Sequence, residues 1–177
     1  MHRLFVAIRP PRPVREILLD LMGGVRGARW PTDEQLHLTL RFIGEVDRHI
    51  AEDIHAALGS IHQPSFEIAL NGIGSFDRRG EAVTLWAGVT PHEPLKALHK
   101  KVDQACLKAG VAPDRRAYLP HITIARLGRA AGPVQGLMES AGAVASPAFP
   151  VDSFCLFESE LTPNGPIYSI LERYKLA

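Results

Sequence analysis

The chain has 177 residues, 46% hydrophobic and 22% charged, with twenty Lys+Arg against nineteen Asp+Glu and a net charge of +1. The length fits one domain, or two small lobes sharing a core. The near-neutral balance excludes a basic protein that coats long nucleic acid by neutralising phosphates, and also a charge-driven disordered chain.

No apolar run approaches the roughly 18–20 residues of a membrane helix, and the apolar stretch after Met1 is too short for a signal peptide. Cys106 and Cys155, the only cysteines, build neither a disulfide scaffold nor a thiolate zinc site. They read as buried free thiols in a reducing cytoplasm.

Residues 3–8 read as a buried first strand. Pro11 and Pro13 then open a helix with Val14, Ile17, Leu18 and Leu21 at helical spacing, stopped by Gly23 and Gly24. Residues 36–42 alternate strictly: Leu36, Leu38, Leu40 and Phe42 share one face, and His37, Thr39 and Arg41 the other. Asp47 is placed to cap a second helix running to about Leu58. Residues 65–73 and 82–89 read as strands split by the turn Asp77-Arg78-Arg79-Gly80. Residues 92–109 form an amphipathic helix ended by Gly110, and 118–126 a second alternating strand. A short helix is expected near 133–141. The last strands, 147–158 and 166–173, are separated by a turn at Thr162–Pro166. Interspersed helices and hairpin-like strand pairs predict an α+β fold of mainly antiparallel sheet.

A His-x-Thr-x strand occurs once in each half, at 37–40 and at 121–124. The whole chain, 1–177, therefore reads as a single domain of two similar lobes packed face to face. Eight His and six Thr would give about 0.3 chance His-x-Thr pairs. Two copies with aliphatic residues at both x positions fall below roughly one in a thousand. In a strand, residues i and i+2 share a face, so each His sits beside its Thr hydroxyl. A cleft lined by both strands would hold two imidazoles, the side chains that change charge near neutral pH. One could take a proton from a nucleophile while the other gives one to a leaving group, each transfer being worth about 10²–10⁴-fold. The hydroxyls of Thr39 and Thr123 could donate to an oxyanion between them. Phosphodiester cleavage matches this division of labour, and nothing in it needs a metal or another cofactor. Arg126 is the first candidate for the phosphate contact and Arg41 the second. Strict alternation would place Arg126 opposite His121, so its use requires a bulge or a strand end before it.

The sequence resembles the 2H phosphoesterases, and within them the RNA 2′,3′-cyclic phosphodiesterases, also called 2′-5′ RNA ligases. The matching segments are Arg3–Arg9, His37–Glu45, Pro120–Arg126 and Phe157–Tyr168, in the family's order and spread over nearly the whole chain. The resemblance implies a bilobed α+β fold of two pseudo-symmetric lobes, with helices outside and a central cleft. It implies metal-independent hydrolysis of RNA 2′,3′-cyclic phosphate ends to 2′-phosphates, with reversible ATP-independent 2′-5′ joining as an accompanying activity. His37 corresponds to the family's proton donor and His121 to its base. Thr39, Thr123 and Arg126 correspond to its phosphate-binding residues. The implied partner is an RNA 3′ end bearing a 2′,3′-cyclic phosphate, with tRNA halves as one source. A cytoplasmic monomer is the default, with neither membrane nor metal involved.

Two other readings compete. One is a phosphodiesterase acting on a small cyclic phosphate, such as a cyclic nucleotide or ADP-ribose cyclic phosphate. The other is a non-catalytic RNA-end binding module, against which stand the two intact histidines. The remaining six histidines read as surface or satisfied-core groups. Those seven apart, His55 with His62 and His92 with His99, do not have zinc-ligand spacing. Phe5 and Trp30 read as core residues or base-stacking platforms, and Tyr168 as a packed residue of the last strand. Arg78, Arg79, Arg115 and Arg116 read as turn charges with RNA backbone contact as the alternative.

Overall fold

The computed structural model describes all 177 residues. Nine strands and four α-helices follow in the order β1 (His2–Ile8), α1 (Arg12–Leu21), β2 (Ala28–Arg29), a 3₁₀ turn (Asp33–Gln35), β3 (Leu38–Val46), α2 (Arg48–Leu58), β4 (Phe66–Arg78), β5 (Glu81–Thr90), α3 (Glu93–Lys108), β6 (His121–Leu127), α4 (Gln135–Ala141), β7 (Phe149–Val151), β8 (Ser153–Thr162) and β9 (Gly165–Lys175). The strands form one antiparallel sheet in the order β7-β4-β5-β6-β3-β1-β8-β9, with β2 added against β6.

That order is near-symmetric about its middle. β6 and β3 are the central pair, and they carry the two His-x-Thr motifs. They bond at a single position, Leu38 opposite Ile122, so the halves join edge to edge within one sheet. The expectation of face-to-face packing differs in this respect.

Alternation decides the two faces of the sheet. Leu36, Leu38 and Leu40 from the first half and Ile122 and Ile124 from the second point into the main core. There they meet Val14 and Leu18 of α1, Ile54 and Leu58 of α2, Leu95, Leu98 and Val102 of α3, and Leu137 of α4. All four helices therefore cover one face. Each fully buried Leu, Ile or Val there contributes about 1.5–3 kcal/mol. The opposite face carries the histidines and a small second cluster of Phe5, Ala7, Cys155 and Phe157, against which Tyr168 packs. Cys106 and Cys155 are free and buried.

The helices begin and end where local chemistry directs. Proline opens α1. The Asp47 carboxylate accepts from the Ile50 amide at 2.8 Å and caps α2. Gly110, at φ +94°, lets the chain turn away after α3.

Several boundaries differ from the sequence reading, beginning with the strand read as 36–42, which runs from Leu38 to Val46. The β4–β5 hairpin closes two residues later, because Asp77 and Arg78 pair with Ala82 and Glu81. Only Arg79 and Gly80, both at positive φ, form the turn. The alternating strand 118–126 begins only at His121. The stretch 147–158 is two strands: β7 pairs with β4 at one edge of the sheet, whereas β8 pairs with β1 in the other half. The chain crosses between the halves at Asp152.

Candidate active site

His37 stands one residue before β3, and His121 is the first residue of β6. Both are partly buried. The same local bond orients each ring. His37 Nδ1 lies 2.7 Å from the Gln35 carbonyl, and His121 Nδ1 lies 2.7 Å from the Leu119 carbonyl. A carbonyl only accepts, so Nδ1 carries the proton in both rings and the neutral imidazole leaves Nε2 free to take one.

Burial is the first cause that pushes both histidines toward the neutral form. His37 falls from its ordinary 6.5 to about 4, with the guanidinium of Arg126, then that of Arg9, and then His121 itself adding to the effect. His121 falls for the same first reason, and Arg126 again contributes. The effect of His121 on His37, and the reach of Arg126 to both, place these three groups in one electrostatic neighbourhood.

Each motif strand contains a bulge just after its Thr. Against β1, Ala7 pairs with Thr39 but Val6 pairs with Arg41, so Leu40 is passed over. Against β5, Trp86 pairs with Thr123 but Leu85 pairs with Ala125, so Ile124 is passed over. The inserted residue reverses parity beyond it. Leu40 and Arg41 both turn into the core, as do Ile124 and Ala125. Beyond the bulges, Phe42 and Arg126 return to the histidine face.

Arg126 is thereby exposed on the same side as His121 and Thr123. The bulge supplies the parity change that its use requires. Arg41 goes the other way. It is 5% exposed, and its guanidinium donates to Asp103 Oδ1 at 2.8 Å, the Phe42 carbonyl at 2.6 Å and the Ala112 carbonyl at 2.7 Å. Arg41 forms a structural ion pair on the helix side, and its second-choice role as phosphate contact is corrected.

Thr39 and Thr123 both sit on the histidine face, two residues after their His. Other candidates divide clearly. Phe5 lies beneath His37, with ring centroids 4.9 Å apart, and stacks on Phe157 at 5.0 Å and 4°. It is a floor for the histidine. Trp30 packs against the main core. Tyr168 meets His37 edge-on at 5.4 Å, so it borders the site. Arg78, Arg79 and Arg115 are exposed, and Arg116 pairs with Asp114. Of the six remaining histidines, His2 bonds Glu158, His55 bonds Glu172, and His99 lies flat on Tyr118 while bonding the Leu40 carbonyl.

Several neighbours escaped the sequence reading. In the first half, Arg9 donates to the carbonyls of Asp33 and Leu36 and so braces the segment that enters His37. Gln35, whose carbonyl holds His37, is itself anchored by its side-chain amide to the Pro166 carbonyl. In the second half, Phe76 meets His121 edge-on at 5.0 Å, and Trp86 lies 6.0 Å from it. The indole lies over Gly74, where any Cβ would collide with it. Glycine opposite a tryptophan in a hairpin was the available signal for that wall.

Paired imidazoles with matching tautomers, two hydroxyls and the unpaired guanidinium of Arg126 on a single sheet face are the groups that an acid–base phosphoesterase site of the tandem-histidine type requires. The chain belongs to the 2′-5′ RNA ligase superfamily, whose family profile matches residues 10–163. Among similar proteins, the RNA 2′,3′-cyclic phosphodiesterase of Aeropyrum pernix is 35% identical over 148 residues, covering 82% of this chain and 84% of that one. The Thermotoga maritima protein of the same name is 33% identical over 180 residues, covering 96% and 92%. Among solved structures, TT0787 of Thermus thermophilus superposes with a TM-score of 0.81 at 28% identity over 98% of this chain and 97% of its own. E. coli LigT complexed with 3′-AMP gives 0.80 at 26% identity over 99% and 98%.

Proposed function

We propose that the chain hydrolyses the 2′,3′-cyclic phosphate at the 3′ end of an RNA, leaving a 2′-phosphate and a free 3′-hydroxyl. The observation that carries this reading is the matched histidine pair. Two imidazoles, each locked through Nδ1 to a carbonyl two residues upstream, present Nε2 from adjacent central strands beside Arg126.

In the forward direction His121 Nε2 accepts a proton from water as its oxygen attacks phosphorus. The bond from phosphorus to O3′ breaks, and His37 Nε2 gives O3′ its proton. Both histidines rest neutral, so His37 must acquire that proton with the substrate. The phosphate anion offsets the field of Arg126 and Arg9, which otherwise disfavours the imidazolium. Thr39 and Thr123 donate to the non-bridging oxygens, and Arg126 supplies charge that strengthens as the phosphorane forms. With the 5′-hydroxyl of a second RNA end in place of water, His121 takes the hydroxyl proton, the bond from phosphorus to O5′ forms, the bond to O3′ breaks and His37 protonates O3′. The cyclic phosphate thus opens into a 2′-5′ linkage, and the reverse of this step cleaves that linkage.

The names of the Aeropyrum and Thermotoga relatives and the nucleotide bound to E. coli LigT support RNA ends as the substrate class. The reading extends to two lobes of one domain, each contributing one motif. It extends also to a cytoplasmic monomer in which Cys106 and Cys155 stay reduced, with tRNA halves among its substrates. None of these steps calls for a metal.

The deciding experiment incubates the purified protein with EDTA and an oligonucleotide ending in 2′,3′-cyclic phosphate. Quantitative conversion to the 2′-phosphate, identified by phosphorus NMR, is expected. Turnover of free cyclic nucleotides alone would transfer the activity to small cyclic phosphates. Binding without turnover would leave an RNA-end binding module.

A further inference from the structure

We propose that Arg3 and Phe42 form a subsite for the nucleotide on the 5′ side of the cyclic phosphate, with the Arg3 guanidinium on its phosphodiester and the Phe42 ring against its base. This rests on the RNA-end reading above.

The starting observation is a substitution in the site's internal symmetry. Phe42 occupies on β3 the place that Arg126 occupies on β6, five residues after the histidine and two past the bulge. The first half thus presents an aromatic ring where the second presents a cation. That ring is 42% exposed on the histidine face. Its cation comes from the neighbouring strand instead: the Arg3 guanidinium carbon lies 5.2 Å from the Phe42 ring centroid.

Arg3 takes part in none of the molecule's ion pairs, although Glu45 is its register partner on β3. A guanidinium held over an aromatic ring and free of any carboxylate keeps N–H groups available to receive a phosphate.

Arg3 also lies along the right line. Arg3, Phe5 and Ala7 share one face of β1. Phe5 contacts His37, so Arg3 continues the row outward by about 7 Å. Tyr168 senses the charges of both Arg126 and Arg3, which pull its phenol down against the upward push of burial. The two guanidiniums therefore both lie within electrostatic reach of the same border residue. One cyclic phosphate fills the place between the histidines and Arg126. A mononucleotide has no second phosphate for Arg3, whereas an RNA end has one in the next linkage.

The test compares Arg3→Gln with wild type on two substrates, a mononucleotide 2′,3′-cyclic phosphate and a dinucleotide ending in the same group. For the dinucleotide, kcat/KM should fall about tenfold, and the slope of log KM against log salt should flatten by about 0.7, one single-strand phosphate contact. The mononucleotide should be cleaved within about twofold of wild type. Phe42→Leu should repeat the substrate-selective loss with the salt slope retained. Equal losses on both substrates, no loss on either, or an unchanged slope in Arg3→Gln would overturn the subsite while leaving the activity intact. A wild-type protein that cleaves neither substrate, or the mononucleotide alone, would overturn the RNA-end reading and the subsite with it.

Discussion

His37 and His121 occupy matching places on the two central strands, but their surroundings differ. Beneath His37 lie Phe5, Phe157 and Tyr168, all in or against a closed cluster on that face. Its entering segment is tied down by Arg9, and Gln35 is tied to the last hairpin. His121 has Phe76 and Trp86 beside it, and the exposed Leu119 supplies its carbonyl. The first half encloses its histidine more fully, whereas the second leaves its histidine half-buried with the exposed Arg126 on the same strand. A symmetric backbone has thus been given an asymmetric dielectric, which is how two identical side chains acquire different proton affinities. The drier His37 suits a group that receives its proton only with the substrate anion. The more open His121 suits a group that must reach water.

The largest expected effect breaks both halves at once. His37→Ala and His121→Ala should each lower kcat by at least about 10²-fold with modest change in KM, read by steady-state kinetics on a cyclic-phosphate oligonucleotide. Wild-type rate in either variant would remove the two-imidazole mechanism.

Next comes the pair of inward residues set by the bulges, Arg41 and Ala125. Arg41→Ala should destabilise the fold by about 3 kcal/mol in urea unfolding, because it strands Asp103 and two carbonyls that Arg41 now serves. KM of the folded protein should hardly move. A large KM increase with unchanged stability would return Arg41 to the phosphate.

The burial difference has a pH signature of similar size. The unfolded chain protonates His37 near 6.5, whereas the folded one does so only near 4. Between those values the unfolded state binds more protons, so stability is lost as pH falls from about 6.5 to 4 and is level above. The fall from 6.5 to about 4 is worth up to about 3 kcal/mol of stability. His37→Gln should flatten that limb of the unfolding curve. An equally steep limb in the variant would place the titrating group elsewhere.

Much of this site was legible in the residue pattern alone, for a definite reason. A period-2 pattern fixes which face a strand residue takes, so Leu36, Leu38, Ile122 and Ile124 marked the core and His37, Thr39, His121 and Thr123 the opposite face. Parity holds only while pairing is regular. The bulges at Leu40 and Ile124 are properties of two strands together, and they sent Arg41 inward and Arg126 outward. The aromatic surroundings were hidden for a related reason: Phe157, Tyr168, Phe76 and Trp86 reach the histidines through strand order. Likewise the break at Asp152 is invisible in hydropathy, since β7 and β8 are both apolar strands; only their partners, β4 and β1, separate them.

The subtlest way to sharpen the contrast is to remove the charge that the two halves share. Arg126 disfavours the imidazolium of both His37 and His121. Arg126→Gln keeps a hydrogen-bond donor but no charge, and kcat/KM should fall about tenfold through the weakened phosphate contact. Both histidine titrations should move upward at the same time, carrying the pH profile of kcat/KM toward higher pH. The shift should be visible in the ring-proton resonances of the free protein, where no substrate complicates it. Because burial is the first cause at both sites, the variant should not restore either histidine to its ordinary value. His37 should stay the lower of the two, since Phe5, Phe157 and Arg9 are untouched. Titrations that stay fixed in the variant would mean that Arg126 points away from the histidines in solution, and the asymmetry would then rest on burial alone.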